Sequence, residues 1–256
     1  MRDAVKLLAG LVLVLPLAAA PATAQTAAES ARSALLAGRA AEARPVLVAA
    51  AEAAPDDADA QYWAGRAWME DGRSDRAEDW LEQATRLDPD NAEYWLWLGR
   101  SYGDQTRKAS IFRKRGLALK TKGAFEKAVA LDGLRLDARS HLIDYHLEAP
   151  GIVGGDRDEA LRQAEAIRAT DGPRGLLEIA RVRAWTERWD DARAALEEYA
   201  RGPAATDAKA LAVGAWARGR LLEHDGDRAG ARSAYEEALR HDRYYEPARE
   251  ALGRVR

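Results

Sequence analysis

The chain has 256 residues, a formal net charge of −3 and no cysteine. The absence of cysteine excludes disulfides, Cys-ligated zinc and thiol nucleophiles, and the small net charge does not indicate nucleic acid or a membrane surface as a partner of the whole chain. Hydrophobic residues make up 47% of the sequence, which is enough for a core. The abundance of Ala, Leu, Arg and Glu favours helices.

Residues 1–24 have the pattern of a secretory signal peptide. Arg2 and Lys6 give a basic start, an apolar run follows from Leu7 to Leu17, and Ala22-Thr23-Ala24 has the small-x-small form of a cleavage site. The apolar run is short for a transmembrane helix. We therefore expect cleavage after Ala24, a periplasmic or secreted protein, and no transmembrane segment in the mature chain. An uncleaved N-terminal anchor is the alternative.

Residues 58–91 contain two helical patterns joined by a turn. Small and aromatic positions mark the first helix, a glycine ends it, an apolar stripe marks the second helix, and a proline follows. These positions are Gly65, Trp68, Gly72, Ala77, Leu81, Ala84 and Pro89. A shift of 34 residues towards the N-terminus finds Gly38, Ala43, Leu47, Ala50 and Pro55 in the same places. The sequence is therefore predicted to consist of repeated helix pairs.

Four further copies follow towards the C-terminus. They are marked by Trp95 and Gly99 in the third copy, Leu142 and Ala160 in the fourth, Ala180 and Ala192 in the fifth, and Gly219 and Ala231 in the sixth. The segment Glu246–Arg256 has the pattern of a final capping helix. Because such units need stacked neighbours to bury their apolar faces, residues 25–256 are predicted to form one cooperative domain.

The 34-residue pattern resembles the tetratricopeptide repeat. This resemblance implies an all-α, right-handed solenoid of about six helix pairs with a C-terminal capping helix. Residues 109–132 and 145–167 also resemble segments of exported bacterial tetratricopeptide-repeat proteins, a group with no established activity. The resemblance therefore implies a fold and export, and it implies no mechanism.

A basic insertion, residues 105–122, interrupts the third copy. Its cations are Arg107, Lys108, Arg113, Lys114, Arg115, Lys120 and Lys122, and it contains no acid. One interpretation is a helical extension with cations that are solvated or paired with acids such as Asp104 and Glu126. The other is a patch that binds an anionic partner such as envelope lipid or polymer. Nucleic acid is not expected, because Phe112 is the only aromatic residue available for stacking.

A glycine-rich loop, residues 149–156, interrupts the fourth copy. Asp156, followed three residues later by Glu159, predicts a capping box at the start of a helix. A phosphate-binding loop would need Lys and Ser or Thr after the glycines. Acidic residues follow them here, so no nucleotide site is predicted.

The sequence contains no recognised catalytic or metal-binding pattern. The four histidines do not form an H-E-x-x-H motif, and no G-x-S-x-G motif occurs. We therefore predict no catalytic residues, no metal, no cofactor and no enzymatic activity. A hydrolase built on a helical-repeat frame stays as an alternative that only these missing motifs oppose.

In tetratricopeptide-repeat proteins the first helix of each unit lines a concave groove. The aligned copies place four arginines at one inward position and four apolar residues one turn earlier. The arginines are Arg66, Arg100, Arg181 and Arg220, and the apolar residues are Tyr62, Leu96, Leu177 and Trp216. This combination suits an extended peptide with carboxylates, which arginine can bind with two hydrogen bonds. The alternative is that the arginines pair with acids of neighbouring helices, such as Asp59, Glu93 and Glu70, and only make the groove soluble.

These patterns predict a non-enzymatic interaction module, or scaffold, in the bacterial envelope. Its expected partner is a protein or peptide held in the concave groove. The second hypothesis is binding of anionic envelope lipid or polymer through the basic insertion.

Overall fold

A computed structural model describes residues 22–255 of the chain. Thirteen α-helices and one short 3₁₀ turn make up this part. The helices are α1 (Ala22–Leu36), α2 (Ala40–Ala53), α3 (Ala58–Glu70), α4 (Ser74–Leu87), α5 (Ala92–Lys108), α6 (Ile111–Leu131), α7 (Leu136–Glu148), α8 (Arg157–Thr170), α9 (Gly172–Trp185), α10 (Trp189–Arg201), α11 (Ala208–His224), α12 (Arg228–His241) and α13 (Glu246–Arg254). The predicted signal peptide lies almost wholly outside the described residues.

The helices from α1 to α12 form six consecutive pairs, and α13 follows as a single helix. In each pair the two helices pack against each other, and the second helix of one pair also packs against the first helix of the next. The prediction of an all-α solenoid of six helix pairs with a C-terminal capping helix is confirmed. Among the described helices, none is both long and apolar enough to cross a membrane.

Glycine sets the turn inside several of the pairs. Gly38, Gly72 and Gly226 have φ angles of 78°, 73° and 87°, the left-handed region that only glycine enters without steric cost. In the fifth pair Glu187 takes the corresponding position with a φ of 59°. A side chain at this position is unfavourable, because in the left-handed conformation its Cβ crowds the following carbonyl oxygen.

The helices of a pair approach closely at one small residue of the first helix. A Cβ atom on Gly65 would lie 2.6 Å from Leu81, one on Gly99 would lie 2.6 Å from Phe125, and one on Gly219 would lie 2.4 Å from Tyr235. These distances are well below van der Waals contact. The glycine of the first helix therefore makes room for the large residue of the second, as the repeat pattern predicts.

The core is a row of clusters within and between the pairs, and most of the clusters are rich in alanine. The clusters begin at Ala31 in α1 and end at Val255 after α13. A chain of residues 25–256 therefore contains every core cluster of the described part and retains all of α1 except its first turn.

The two interruptions of the repeat have different structures. The basic insertion does not form a loop between helices: it lengthens α5 and α6, which are 17 and 21 residues long and are joined at 109–110. The glycine-rich loop contains the 3₁₀ turn Gly151–Val153, and the Tyr145 hydroxyl donates to the Val153 carbonyl. Asp156 caps α8 by accepting from two backbone N–H groups. Glu159 instead bonds Arg162 and Gln163, so half of the predicted capping box is present.

Candidate functional site

The four arginines of the predicted row lie at equivalent positions of α3, α5, α9 and α11, and Asp144 takes that position in α7. Their surroundings differ from repeat to repeat. Two of them share one tryptophan, one is buried in an ion cluster, and one lies against two other tryptophans. The row is therefore not one uniform surface.

Arg66 and Arg100 both contact the indole ring of Trp97. The guanidinium carbons lie 4.0 Å and 3.8 Å from the ring centroid. These contacts place two positive charges against one aromatic ring, where the π electrons attract each of them. Arg66 also lies 3.6 Å from a carboxylate oxygen of Glu70, and its buried Nε has no hydrogen-bond acceptor in the described chain.

Arg100 is half-buried and makes no ion pair or hydrogen bond with any described residue. Burial is the main reason that the pKa of Arg100 is lower than its ordinary value, and the positive charge of Arg66 lowers it further. Glu70 and Asp104 are near enough to oppose this shift, but neither forms an ion pair with it. Burying a charge without a paired counter-ion costs free energy. An external anion would supply the missing partner.

Glu93 fixes the orientation of Trp97. Its carboxylate accepts a hydrogen bond of 2.8 Å from Trp97 Nε1 and one of 2.8 Å from the Tyr62 hydroxyl, and it forms an ion pair with Arg135. Burial opposes ionisation of Glu93, but the hydrogen bonds and the charge of Arg135 outweigh burial and hold the pKa of Glu93 below its ordinary value. The hydrogen bond from Nε1 to Glu93 therefore holds the indole ring of Trp97, against which Arg66 and Arg100 lie, in one orientation.

Arg181 is placed differently from the prediction. It is 5% exposed and forms ion pairs with Asp144 and with Glu178, the latter at 2.8 Å. Burial opposes its charge, but the two carboxylates outweigh burial and hold the pKa of Arg181 well above its ordinary value. Tyr245 lies close to the same cluster. Since its charge is already neutralised inside the protein, Arg181 is part of the interior and does not line an open groove.

Arg220 contacts two rings of the last repeats. Its guanidinium carbon lies 5.6 Å from the Trp189 ring centroid and 5.7 Å from that of Trp216. Trp189 also stacks on His224, with centroids 4.5 Å apart. Arg220 makes no ion pair with a described residue. Like Arg100, it lies against aromatic rings without a carboxylate partner, in a separate part of the array.

The apolar row is a correction to the sequence prediction. Tyr62, Leu96, Leu177 and Trp216 are 2–4% exposed. At this position the side chain packs against the neighbouring repeat, so it belongs to the core and is not available to a partner. The half-buried Trp63, 5.3 Å from the Arg66 guanidinium, provides aromatic surface beside the arginines instead.

Sequence reasoning missed Trp97 and the role of Glu93. Trp97 precedes Arg100 by three residues on one helix, which is the spacing of side chains that meet, and this spacing was the available signal. The sequence offers Glu93 as a partner of the arginine row, whereas the structure pairs it with Arg135. The expected pairing of Arg66 with Glu70 is present.

The basic insertion divides into paired and unpaired cations. Arg107 pairs with Asp104, Lys120 lies 3.2 Å from both Glu78 and Glu82, and Lys122 lies 3.5 Å from Glu126. No ion pair to a described residue forms at Lys108, Arg113, Lys114 and Arg115. The paired cations belong to the body of the array, and the unpaired ones lie where α5 and α6 meet.

No group of three or more His, Asp or Glu side chains in residues 22–255 is arranged to hold a metal ion. The histidines lie in different settings: His141 stacks on Phe125, with ring centroids 4.9 Å apart, and His146 is buried. The prominent chemistry of the described surface is therefore that of guanidinium groups against aromatic rings.

A sequence model of the tetratricopeptide repeat matches residues 34–99, which run from the end of α1 to Gly99 in α5. The matched segment includes the second pair, where the glycine, alanine and leucine positions follow the repeat. Residues 34–99 are tetratricopeptide repeats. A search of curated protein sequences finds no significant match.

Several solved structures resemble this chain in fold over most of its length. A tetratricopeptide-repeat protein from Parabacteroides merdae superposes with a TM-score of 0.68 at 14% identity, over 92% of this chain and 85% of that one. PilF of Pseudomonas aeruginosa gives a TM-score of 0.59 at 19% identity, over 90% and 97%. PilW, described as a widely conserved type IV pilus biogenesis factor, gives 0.60 at 16% identity, over 91% and 100%. At these identities the likeness shows the fold.

The repeat fold itself indicates a general role. Tetratricopeptide arrays are typically non-catalytic scaffolds, and their stacked first helices present a surface to a protein partner. The name of the fold does not select the partner, so the partner's chemistry must be inferred from side chains on that surface.

Proposed function

We propose that the chain is a non-enzymatic scaffold that binds an acidic peptide segment of a protein partner at Arg66 and Arg100, which lie against Trp97. The observation that carries this proposal is Arg100, a half-buried cation held against an aromatic ring with no counter-ion from the described chain. Such a group is costly in the free protein and favourable once an anion reaches it.

A carboxylate matches this site better than other partner groups. A guanidinium presents its N–H groups in a planar fork, and a carboxylate can accept two of them. Arg66 lies against the same indole ring, so its positive charge adds to that of Arg100 in attracting an anion. Trp97 holds both guanidinium groups in place, and this order reduces the entropy lost when a ligand binds. Adjacent Glu or Asp residues of a peptide could bind the two arginines together.

We further propose that the scaffold acts in the bacterial envelope. Support comes from residues 1–24, whose basic start, apolar run and small-x-small end have the pattern of a secretory signal. The proposal that the protein is not an enzyme is supported by the absence of known catalytic motifs from the sequence.

A crosslinking pull-down from envelope extract, with residues 25–256 as bait, tests this function. A second bait carries Arg66→Gln and Arg100→Gln, and a matched control carries Arg76→Gln and Arg228→Gln, which lie on exposed faces of second helices. Circular dichroism checks that all three baits fold. We expect a protein captured by the unmodified and control baits and lost by the groove bait.

The captured protein then supplies the direct test. Its acidic segments, made as synthetic peptides, are titrated against the three baits, together with peptides in which Asn and Gln replace Asp and Glu. The proposal predicts loss of binding in the neutral peptides and in the groove bait. Equal binding of acidic and neutral peptides would overturn it.

A further inference from the structure

A second surface lies where α5 and α6 meet, and it is independent of the groove. Residues 110–116 are all exposed, and the first buried residue of α6 is Leu117. The start of α6 therefore extends beyond the core of the array. We refer to residues 108–116 as the tip.

The tip exposes large apolar side chains. Phe112 is 94% exposed and Ile111 is 79% exposed. Most of an aromatic side chain is normally buried in a folded protein, because leaving it in water forgoes the free energy of burial. Two adjacent apolar side chains at the end of a projection are arranged to be buried by something outside the described chain.

The tip also concentrates positive charge. Lys108, Arg113, Lys114 and Arg115 make no ion pair with a described residue, and no acidic residue occurs from 105 to 122. The apolar pair Ile111-Phe112 lies between Lys108 and the three consecutive cations. Cations around an exposed apolar centre match a partner that is anionic at its surface and apolar beneath.

Two more exposed apolar side chains lie on α6 and on the glycine-rich loop that packs along it. Ala118 of α6 packs against Val153 of the 3₁₀ turn, and this contact places the turn along α6. Ile152, next in sequence to Val153, is 79% exposed, and Leu119 is 48% exposed. The glycine-rich loop therefore adds apolar surface beside the tip.

We propose that the tip binds the surface of an anionic lipid bilayer, with its cations at the headgroups and Ile111 and Phe112 inserted at the acyl boundary. The apolar pair decides between lipid and a soluble polyanion, because a polyanion would pair with the cations and leave Phe112 in water. Combined electrostatic and apolar contacts are also what stable attachment of a peripheral protein requires. This surface places the scaffold at a membrane whatever the groove binds.

Co-sedimentation with vesicles tests the proposal, with residues 25–256 as the protein. Mixed phosphatidylglycerol–phosphatidylcholine vesicles are compared with phosphatidylcholine alone. One variant carries Arg113→Gln, Lys114→Gln and Arg115→Gln, and a second carries Ile111→Ser and Phe112→Ser. All five side chains are exposed, so the fold is expected to be retained.

Matched controls place the same changes elsewhere. One carries Arg228→Gln, Arg240→Gln and Arg243→Gln, and the other carries Leu134→Ser and Tyr244→Ser, where the wild-type side chains are 71% and 65% exposed. We expect the wild type and both controls to bind the anionic vesicles and to bind phosphatidylcholine weakly.

The two tip variants are expected to fail in different ways. Each cation near an anionic surface contributes about a fivefold gain in partitioning, so three neutral replacements should weaken binding by about 100-fold. Loss of the apolar pair should weaken it by at least about tenfold and leave the salt dependence unchanged. The groove variant Arg66→Gln, Arg100→Gln should bind vesicles as the wild type does, so failure of the tip and failure of the groove are distinguishable.

Any of four results would overturn the proposal. The first is equal binding to anionic and neutral vesicles, and the second is tip variants that bind as their controls do. The third is binding to soluble polyphosphate that equals vesicle binding and does not change with Ile111→Ser and Phe112→Ser, since that result would assign the tip to a polyanion. Light scattering on the same proteins checks whether the apolar pair instead joins two copies of the chain. The proposal would also be rejected if the wild type forms a dimer that the apolar variant does not form and the wild type does not bind vesicles.

Discussion

Arg100 and Arg181 occupy equivalent positions of two repeats, and we expect the same substitution to affect them differently. Arg181 is buried and paired with Asp144 and Glu178, and Glu178 is itself 3% exposed. Replacing Arg181 by Met removes the counter-ion of a buried carboxylate. Breaking a buried pair in this way costs about 3 kcal/mol or more in the free energy of unfolding.

For Arg100→Met the contributions that raise and lower the free energy of unfolding nearly cancel. The guanidinium carbons of Arg66 and Arg100 lie 4.0 Å and 3.8 Å from one ring centroid, so they are separated by no more than about 8 Å. At that distance two charges repel by roughly 0.5 kcal/mol in water and roughly 2 kcal/mol at an effective dielectric constant of 20. Removing Arg100 relieves this repulsion and the cost of burial, and it loses a cation–π contact worth about 0.5–2 kcal/mol. We expect a result between neutral and about 1 kcal/mol of added stability.

Equilibrium urea unfolding of both variants measures the difference. Tryptophan fluorescence and far-ultraviolet circular dichroism are followed together, since coincident transitions justify one free energy of unfolding. Arg181→Met should lower the urea midpoint clearly, and Arg100→Met should leave it unchanged or raise it. A loss of stability in Arg100→Met comparable to that in Arg181→Met would refute the account, because it would mean that Arg100 is paired inside the protein.

Three further changes test the packing and the anchor of the site. Gly99→Ala should lower the free energy of unfolding, measured in urea, by about 1–3 kcal/mol through overpacking on Phe125. Gly116→Ala is its control: a Cβ there meets nothing within 4 Å, so this change should be neutral or stabilising in the same measurement. Glu187→Gly should raise stability by up to about 1 kcal/mol, because it removes a side chain from a left-handed backbone position. Glu93→Gln should cost about 1 kcal/mol at neutral pH. Folding lowers the pKa of Glu93, so that cost should persist above the unfolded pKa of about 4.3 and vanish as pH falls through the folded pKa. If the urea midpoints of the wild type and Glu93→Gln stay apart at the lowest pH, the role given to the Glu93 carboxylate is wrong.

The repeat architecture could be predicted because one short local pattern sets each pair. Gly72 requires a left-handed turn, and Gly65 requires a close approach to Leu81, so spacing along the chain determines how two adjacent helices pack. The 34-residue period then gives the number of pairs. The lengths of the helices in the third pair were harder to predict, since 105–122 has no proline and its single glycine, Gly116, lies inside α6 and not at the junction of the two helices.

The candidate site could be predicted only in part, because it depends on contacts between repeats. Alignment of the copies places Arg100 and Arg181 at the same position, but their partners come from other helices and from other positions. Trp97 lies close to Arg66 of the preceding repeat, and Asp144 reaches Arg181 of the following one. Such distances depend on how one pair rotates against the next, and no single repeat encodes that rotation.

The central claim is that a partner binds at the groove beside Arg66 and Arg100. Photocrosslinking in cells tests it most directly, with a benzophenone amino acid placed at Glu70, which neighbours both arginines, or at Asp79, an exposed position of α4. The account predicts a crosslinked protein from position 70, attached through an acidic segment, and none from position 79. Crosslinks of equal strength from both positions, or from position 79 alone, would contradict it.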